Sequence, residues 1–135
     1  MLEELRQEYV ALCQRLDPTI TSWFFQTTPG HDGTTHVEIR DGQYHYLGTD
    51  RGVVVMHQTT ADKAEMLYWL VKDMTWGMAV GYEFRHRVPG QSFRRLLFAK
   101  HLEYMNRVDA IWADRLRQEI EAILAEHPYD DKREG

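Results

Sequence analysis

The spacing of hydrophobic residues changes twice along this 135-residue chain, and each change predicts a different kind of element. Residues 2–16 carry apolar side chains three and four positions apart, which is typical of an amphipathic helix ending at Asp17-Pro18. Residues 35–48 alternate between apolar and polar instead, which indicates β-strands. From Thr59 onward the helical spacing returns. The pattern therefore predicts a helix, a small sheet and further helices.

The alternating region has the pattern of a β-hairpin. Its two segments, THVEIR and QYHYLG, are separated by Asp41-Gly42, a dipeptide that favours the two-residue type I′ turn. With this turn, Ile39 faces Tyr44 and Val37 faces Tyr46, so one face of the hairpin is apolar. Register and hydrophobic pattern agree, which supports the prediction.

A third strand and a long helix follow the hairpin. A turn at residues 50–52 leads to VVVMHQ, which we predict as the last strand of an antiparallel meander. Thr59 or Thr60 caps a long central helix that ends near Arg87. Gly77 and Gly81 are poor helix formers inside this segment, so we expect another element to pack closely there.

The remaining sequence predicts two capped helices. Ser92 is a suitable N-cap for the first and Asp109 for the second, and Pro128 stops the second. The side chains expected to face inward in the last helix are Ile111, Trp112, Leu116, Ile120, Ile123 and Leu124. We predict a single α+β domain over residues 1–135, with an N-terminal helix, a three-stranded meander and three helices, and allow a flexible tail only at about 129–135.

Composition and charge narrow the functional classes. The formal net charge is −5, which argues against nucleic acid as a partner because such binding depends on cations that meet phosphates. The single cysteine excludes an internal disulfide framework. The start MLEELRQEYVALCQRL lacks the pattern of a signal peptide, and no apolar segment is long enough to span a bilayer. We expect a cytoplasmic protein without a membrane partner.

Motifs for metal binding or nucleophilic catalysis are weak. His36, Glu38 and His45 share the polar face of the predicted hairpin, but there is no metal-ligand motif, and a solvated face with His–Glu pairing explains them equally well. Cys13 lies on the apolar stripe of the first helix, where a lone cysteine is usually a small buried side chain. We therefore predict no metal, no cofactor and no catalytic residue.

Positive charge is concentrated in the segment YEFRHRVPGQSFRR, residues 82–95. No carboxylate lies between Glu83 and Glu103. Basic residues at the end of the central helix, such as Arg87, are favourable with the helix dipole. Arg94 and Arg95 fall in the first turn of the next helix, where a cation is unfavourable. These two arginines therefore require a nearby anion.

Glu83 is the nearest candidate for that anion. The Val88-Pro89-Gly90 turn folds one helix back on the other, and Glu83 also pairs with Arg87 four residues on. We interpret Glu83, Arg87, Arg94 and Arg95 as a clamp that holds a helical hairpin. The alternative, an anion-binding or partner-binding site, remains open, because a clamp can also present unused donors outward.

Several of these segments are similar to the immunity protein 63 family of bacterial polymorphic toxin systems. The resemblance is carried by YHYL, DRG, YEFRHRVPGQSFRRLLFAKHLEYM and IWADRLRQEIEAILAEHPYDD, and it runs from about the hairpin to Asp131. The residues that fall on the family pattern are Tyr82, Glu83, Arg87, Phe93, Arg94, Arg95, Phe98, Pro128, Asp130 and Asp131.

The resemblance implies a protein that neutralises a cognate toxin domain encoded beside it, without catalysis or cofactor. The residues expected to bind this partner or to form the clamp are Glu83, Arg87, Arg94, Arg95, Asp130 and Asp131. The negative charge suits a basic toxin such as a nuclease. Two alternatives are a small enzyme that uses the cluster with His86 or His101 on an anionic ligand, and an adaptor that binds a partner through residues 23–25.

Overall fold

The structure, a computed structural model, describes residues 1–20 and 25–135. Its α+β architecture confirms the predicted fold class, with three strands between an N-terminal helix and the later helices. The elements are α1 (Leu2–Cys13), β1 (Asp32–Arg40), β2 (Gln43–Asp50), β3 (Val53–Thr60), α2 (Lys63–Arg85), α3 (Phe93–Val108), α4 (Ala110–Glu126) and α5 (Asp131–Glu134). Two compact units, Met1–Leu70 and Val71–Gly135, divide within α2. None of the helices in the described ranges is long and apolar enough to cross a bilayer.

The hairpin of the first unit has the predicted register. Ile39 lies opposite Tyr44 and Val37 opposite Tyr46 in an antiparallel sheet of order β1-β2-β3. The turn residue Asp41 has a φ of 52°, and the glycine after it a φ of 74°, as a type I′ turn requires. The local turn chemistry therefore sets the pairing of β1 and β2.

Strand β3 lies at the edge of the sheet and is largely exposed. Gly48 pairs with Met56 and Thr49 with Val54, so β3 carries one extra residue, Val55, in a β-bulge. Val53, Val54 and Val55 are all more than half exposed. The apolar run VVV, which suggests a buried strand, therefore forms an exposed sheet edge.

The core of the first unit is formed by α1, β1, β2 and the first turns of α2. The ring of Tyr46 stacks on Trp69 with centroids 6.5 Å apart. Lys63 Nζ lies 2.9 Å from a Glu4 oxygen and 2.7 Å from a Glu8 oxygen, which joins the start of α2 to α1. The buried apolar residues are Leu5, Tyr9, Cys13, Val37, Tyr44, Tyr46, Leu47, Met66, Leu67, Tyr68 and Leu70.

In the second unit, α3 and α4 pack on each other. Both predicted N-caps are confirmed: Ser92 Oγ accepts a hydrogen bond from Arg94 N at 3.3 Å, and Asp109 Oδ1 accepts one from Trp112 N at 3.0 Å. The buried apolar residues of this unit are Val71, Met74, Ala79, Leu97, Phe98, Met105, Val108, Leu116 and Ile120.

Three local predictions are wrong. Helix α2 begins after Asp62, whose Oδ1 accepts a hydrogen bond from Ala64 N at 2.9 Å, because residues 59 and 60 still belong to β3. Ile111 and Ile123, expected to face inward, are 81% and 45% exposed. Among the described residues, no other element packs on Gly77 or Gly81.

Candidate functional site

Arg94 lies in a polar cluster at the start of α3, where its anion is Glu134. Arg94 Nε and Nη2 donate to the two oxygens of the Glu134 carboxylate at 2.8 and 3.0 Å. Nη1 donates to the carbonyl of His127 and Nη2 to that of Pro128, each at 2.8 Å. The Arg94 side chain is only 14% exposed. Its donors are therefore used within the chain.

Arg95 makes a similar but more exposed pair with Asp131. Arg95 Nε and Nη2 donate to Asp131 Oδ1 and Oδ2 at 2.9 and 3.2 Å. The ring of Tyr129 lies against both guanidinium groups, with its centroid 4.3 Å from Arg95 Cζ and 5.5 Å from Arg94 Cζ. Both arginines thus combine ion pairing with cation–π contact.

Ser92 joins the two pairs. Its backbone N–H donates to Asp131 Oδ1 at 2.6 Å, and its hydroxyl donates to Glu134 Oε1 at 2.7 Å. We call Ser92, Arg94, Arg95, Asp131 and Glu134 the α3–α5 cluster. Arg94 and the other hydrogen-bond donors lower the pKa of Glu134 to about 2. Arg95 lowers the pKa of Asp131, assisted by the Ser92 amide.

Asp130 has a different role from its neighbour Asp131. Its side chain accepts a hydrogen bond from Arg133 N at 3.0 Å and so caps α5. Its own N–H donates to Glu134 Oε1 at 3.0 Å. Residues 129–135, for which we allow a flexible tail on sequence grounds, therefore contain a short helix that supplies the anions of the α3–α5 cluster.

The predicted pairing of Glu83 is half right. Its carboxylate accepts hydrogen bonds from Arg87 Nε and Nη2 at 2.9 and 3.1 Å, and its side chain is 5% exposed. The predicted pairing of Glu83 with Arg94 and Arg95 is wrong, because the chain after α4 returns to the start of α3 and brings Asp131 and Glu134 there. Sequence reasoning missed Glu134, although carboxylates at 131 and 134 share one face of a helix turn and were a usable signal.

The two histidines near the basic segment are held by the helices. His101 Nε2 donates to Thr75 Oγ1 at 2.9 Å and to the carbonyl of Lys72 at 3.1 Å. Burial lowers the pKa of His101 to about 4, so its imidazole is neutral at pH 7. His86 stacks on Tyr82 with ring centroids 4.0 Å apart, and its Nδ1 donates to the Tyr82 carbonyl.

The polar residues of the hairpin make short pairs. His36 is buried, contrary to the solvated face expected there, and its Nε2 lies 3.1 Å from Glu38 Oε1. His45 instead shares a 2.8 Å hydrogen bond with His57. Across residues 1–20 and 25–135, no group of three or more metal-ligating side chains comes together.

The remaining candidates are Cys13 and the aromatic segment 23–25. Cys13 is fully buried, and burial raises the pKa of its thiol to about 11, so it is the inert core residue expected. Trp23 and Phe24 lie outside the described residues. The ring of Phe25 lies 6.1 Å from that of Tyr9.

Comparison with known proteins identifies the family of the chain. The family model described as Immunity protein 63 matches residues 41–122, more than half of the chain. This range includes Glu83, Arg87, Arg94 and Arg95 but ends before α5. No curated protein and no solved structure matches. The chain belongs to the Immunity protein 63 family.

Proposed function

We propose that this chain is an immunity protein that binds a toxin domain encoded beside its gene and blocks the toxin's activity in the cytoplasm of the producing bacterium. The match of residues 41–122 to the Immunity protein 63 family carries the proposal. Blocking of this kind requires a stable surface that covers the toxin. It does not require a reacting group on the immunity protein. We propose that this chain is not an enzyme.

The state of the candidate catalytic groups supports a binding role. The thiol of Cys13 is buried, and the imidazole of His101 is buried and neutral at pH 7. Arg94 directs its donors to Glu134 and to two main-chain carbonyls. The alternative of an enzyme or adaptor that binds an anionic ligand through this cluster therefore loses its main cation.

We propose a structural role for the residues first considered as a binding site. Arg94, Arg95, Asp130 and Asp131 hold α5 against the start of α3, and Glu83 with Arg87 stabilises the end of α2. In this role they maintain the shape of the second unit. Contact with the toxin is then made by other side chains.

The net charge of −5 supports a basic toxin, such as a nuclease, as the partner. Opposite net charges accelerate the encounter of two proteins and have less effect on the final affinity. Blocking by occlusion requires a complex with a defined ratio of the two proteins, which gives a direct test.

The experiment uses the toxin domain encoded next to this gene, purified separately. Increasing amounts of the chain should abolish the toxin's activity at a fixed molar ratio, and co-expression should restore growth to cells that produce the toxin. The Arg95→Ala variant, altered in the proposed structural cluster, should protect as well as the wild type. If the wild-type chain neither binds the toxin nor protects the cells, the proposal is contradicted.

A further inference from the structure

One face of α2 carries large apolar side chains that the second unit does not bury. Trp76, Val80 and Phe84 are four residues apart and lie in one row along the helix, over about 12 Å. They are 39%, 42% and 74% exposed. We call these three residues the α2 stripe. A row of this kind is normally buried, and its exposure is typical of an interaction site.

The stripe is held rigidly at its first residue. The ring of Trp76 lies 5.5 Å from that of His101 and 6.4 Å from that of Phe98. Its orientation is therefore fixed before a partner binds, which reduces the entropy lost on association. Trp and other aromatic residues in such positions are common anchors of protein interfaces.

The backbone beside the stripe is open. A Cβ atom added at Gly77 would meet nothing within 4 Å, and one at Gly81 would meet only the guanidinium of Arg85 at 3.3 Å. Alanine would favour the helix by about 1 kcal/mol at each position. Since no described element of this chain uses the space, the glycines leave room for a helix or strand of another molecule.

The charge next to the stripe indicates the chemistry of that molecule. Four of the five cations between residues 85 and 100 pair with a carboxylate of the chain; they are Arg87 with Glu83, Arg94 with Glu134, Arg95 with Asp131 and Lys100 with Glu103. The fifth, Arg85, is exposed beside Phe84 and has no carboxylate partner among the described residues. A partner with a carboxylate at this position neutralises it.

We propose that the α2 stripe is the docking surface for the toxin domain, which presents an apolar segment to the stripe and a carboxylate to Arg85. The inference rests on the proposed function and names the surface that performs it. Two copies of this chain that met symmetrically at Phe84 would bring their Arg85 side chains together, so the charge favours a different molecule. A basic toxin agrees with this, because net charge governs the encounter and one carboxylate governs the local contact.

Exposed residues provide matched variants for the test. Phe84→Ala and Arg85→Glu should each weaken binding of the neighbour-encoded toxin domain at least about tenfold, whereas Ile111→Ala should change it less than about twofold. Ile111 is 81% exposed and lies on α4, so it is an apolar residue outside the stripe with an exposure similar to that of Phe84. Circular dichroism should show that all three variants are folded.

The outcomes separate this inference from the proposed function. If the wild-type chain fails to bind the toxin, the proposed function fails. If the wild type binds and Phe84→Ala and Arg85→Glu bind equally well, only the docking surface is overturned. A loss with Ile111→Ala as large as that with Phe84→Ala overturns it as well.

Cysteine protection gives an independent readout. Cys13 is buried, so a Val80→Cys thiol is the one that should react with a maleimide, and bound toxin should slow that reaction at least about tenfold. An Ile111→Cys thiol should react at the same rate with and without toxin. Protection at position 111 in place of position 80 would overturn the proposal. So would a dimer of the toxin-free chain that Phe84→Asp dissociates.

Discussion

Arg94 and Arg95 are adjacent residues of one type, but the structure gives them different degrees of burial. The Arg94 side chain is 14% exposed and that of Arg95 is 44% exposed. Arg94 also satisfies two main-chain carbonyls after α4, which Arg95 does not contact. Removing Arg94 therefore leaves partly buried acceptors unpaired, whereas water can replace Arg95.

We predict that Arg94→Ala lowers the free energy of unfolding by about 1.5–3 kcal/mol, the usual range for hydrogen bonds that involve a charged group. Arg95→Ala should cause a clearly smaller loss. Urea unfolding of the two variants and the wild type, followed by circular dichroism, measures both. Equal losses in the two variants would contradict the burial difference.

A second prediction concerns His101, which is buried and whose pKa is lowered to about 4. The unfolded chain binds the His101 proton more tightly than the folded chain does. Burial of His101 therefore costs no stability above pH 6.5, where the imidazole is neutral in both states. As the pH falls from 6.5 to 4, it lowers the free energy of unfolding by about 3 kcal/mol in total.

In the His101→Gln variant this part of the pH dependence should be absent, because glutamine does not titrate and its amide can still donate to Thr75. Urea unfolding between pH 4 and pH 7 measures the difference between variant and wild type, which removes the contribution of the carboxylates common to both. Parallel curves for the two proteins would show that His101 does not control this range.

At the scale of elements, the start of α2 depends on where the preceding strand, β3, ends. Thr59 and Thr60 are good N-cap residues by type, but both are paired with β2, where Thr59 lies opposite His45 and Thr60 opposite Tyr44. Asp62 is the first suitable side chain after the strand, and it caps α2. Strand pairing therefore overrides the local preference.

We predict that Asp62→Ala lowers the free energy of unfolding by about 1 kcal/mol, as expected for loss of an N-cap. Thr59→Ala, the matched control at the residue first considered, should have little effect because its hydroxyl does not cap the helix. Thermal unfolding of both variants distinguishes them. A larger loss of unfolding free energy with Thr59→Ala than with Asp62→Ala would show that Thr59, at the end of β3, caps the helix instead.

At the scale of the whole molecule, a net charge of −5 coexists with a locally basic segment. Three of the four arginines in that segment form ion pairs within the chain, with Glu83, Glu134 and Asp131. At long range a partner meets the overall negative charge. At close range the segment offers Arg85, its one arginine without a carboxylate partner among the described residues.

We therefore predict that the association rate constant with the toxin falls about tenfold or more between low and high salt, while the dissociation rate constant changes much less. Stopped-flow or surface-based kinetics at a series of NaCl concentrations measure both constants. An association rate that is independent of salt would contradict a basic partner.

The sequence by itself determined the features that depend on neighbouring residues. The register of Val37 and Tyr46 follows from the Asp41-Gly42 turn, and Ser92 and Asp109 act as caps, because these interactions span only a few residues. The features that depend on distant residues were decided only by the tertiary structure. The anion of Arg94 is forty residues away, and no local pattern encodes that separation.

Burial was decided at the same level. Side-chain polarity does not predict burial at three positions: the polar His36 is buried, whereas the apolar Ile111 and Phe84 are exposed. Hydrophobic spacing shows which side chains share a face of an element, but whether another element covers that face depends on the packing of the whole unit. For the α2 stripe, the described part of the chain provides no such cover, and we assign it to the toxin.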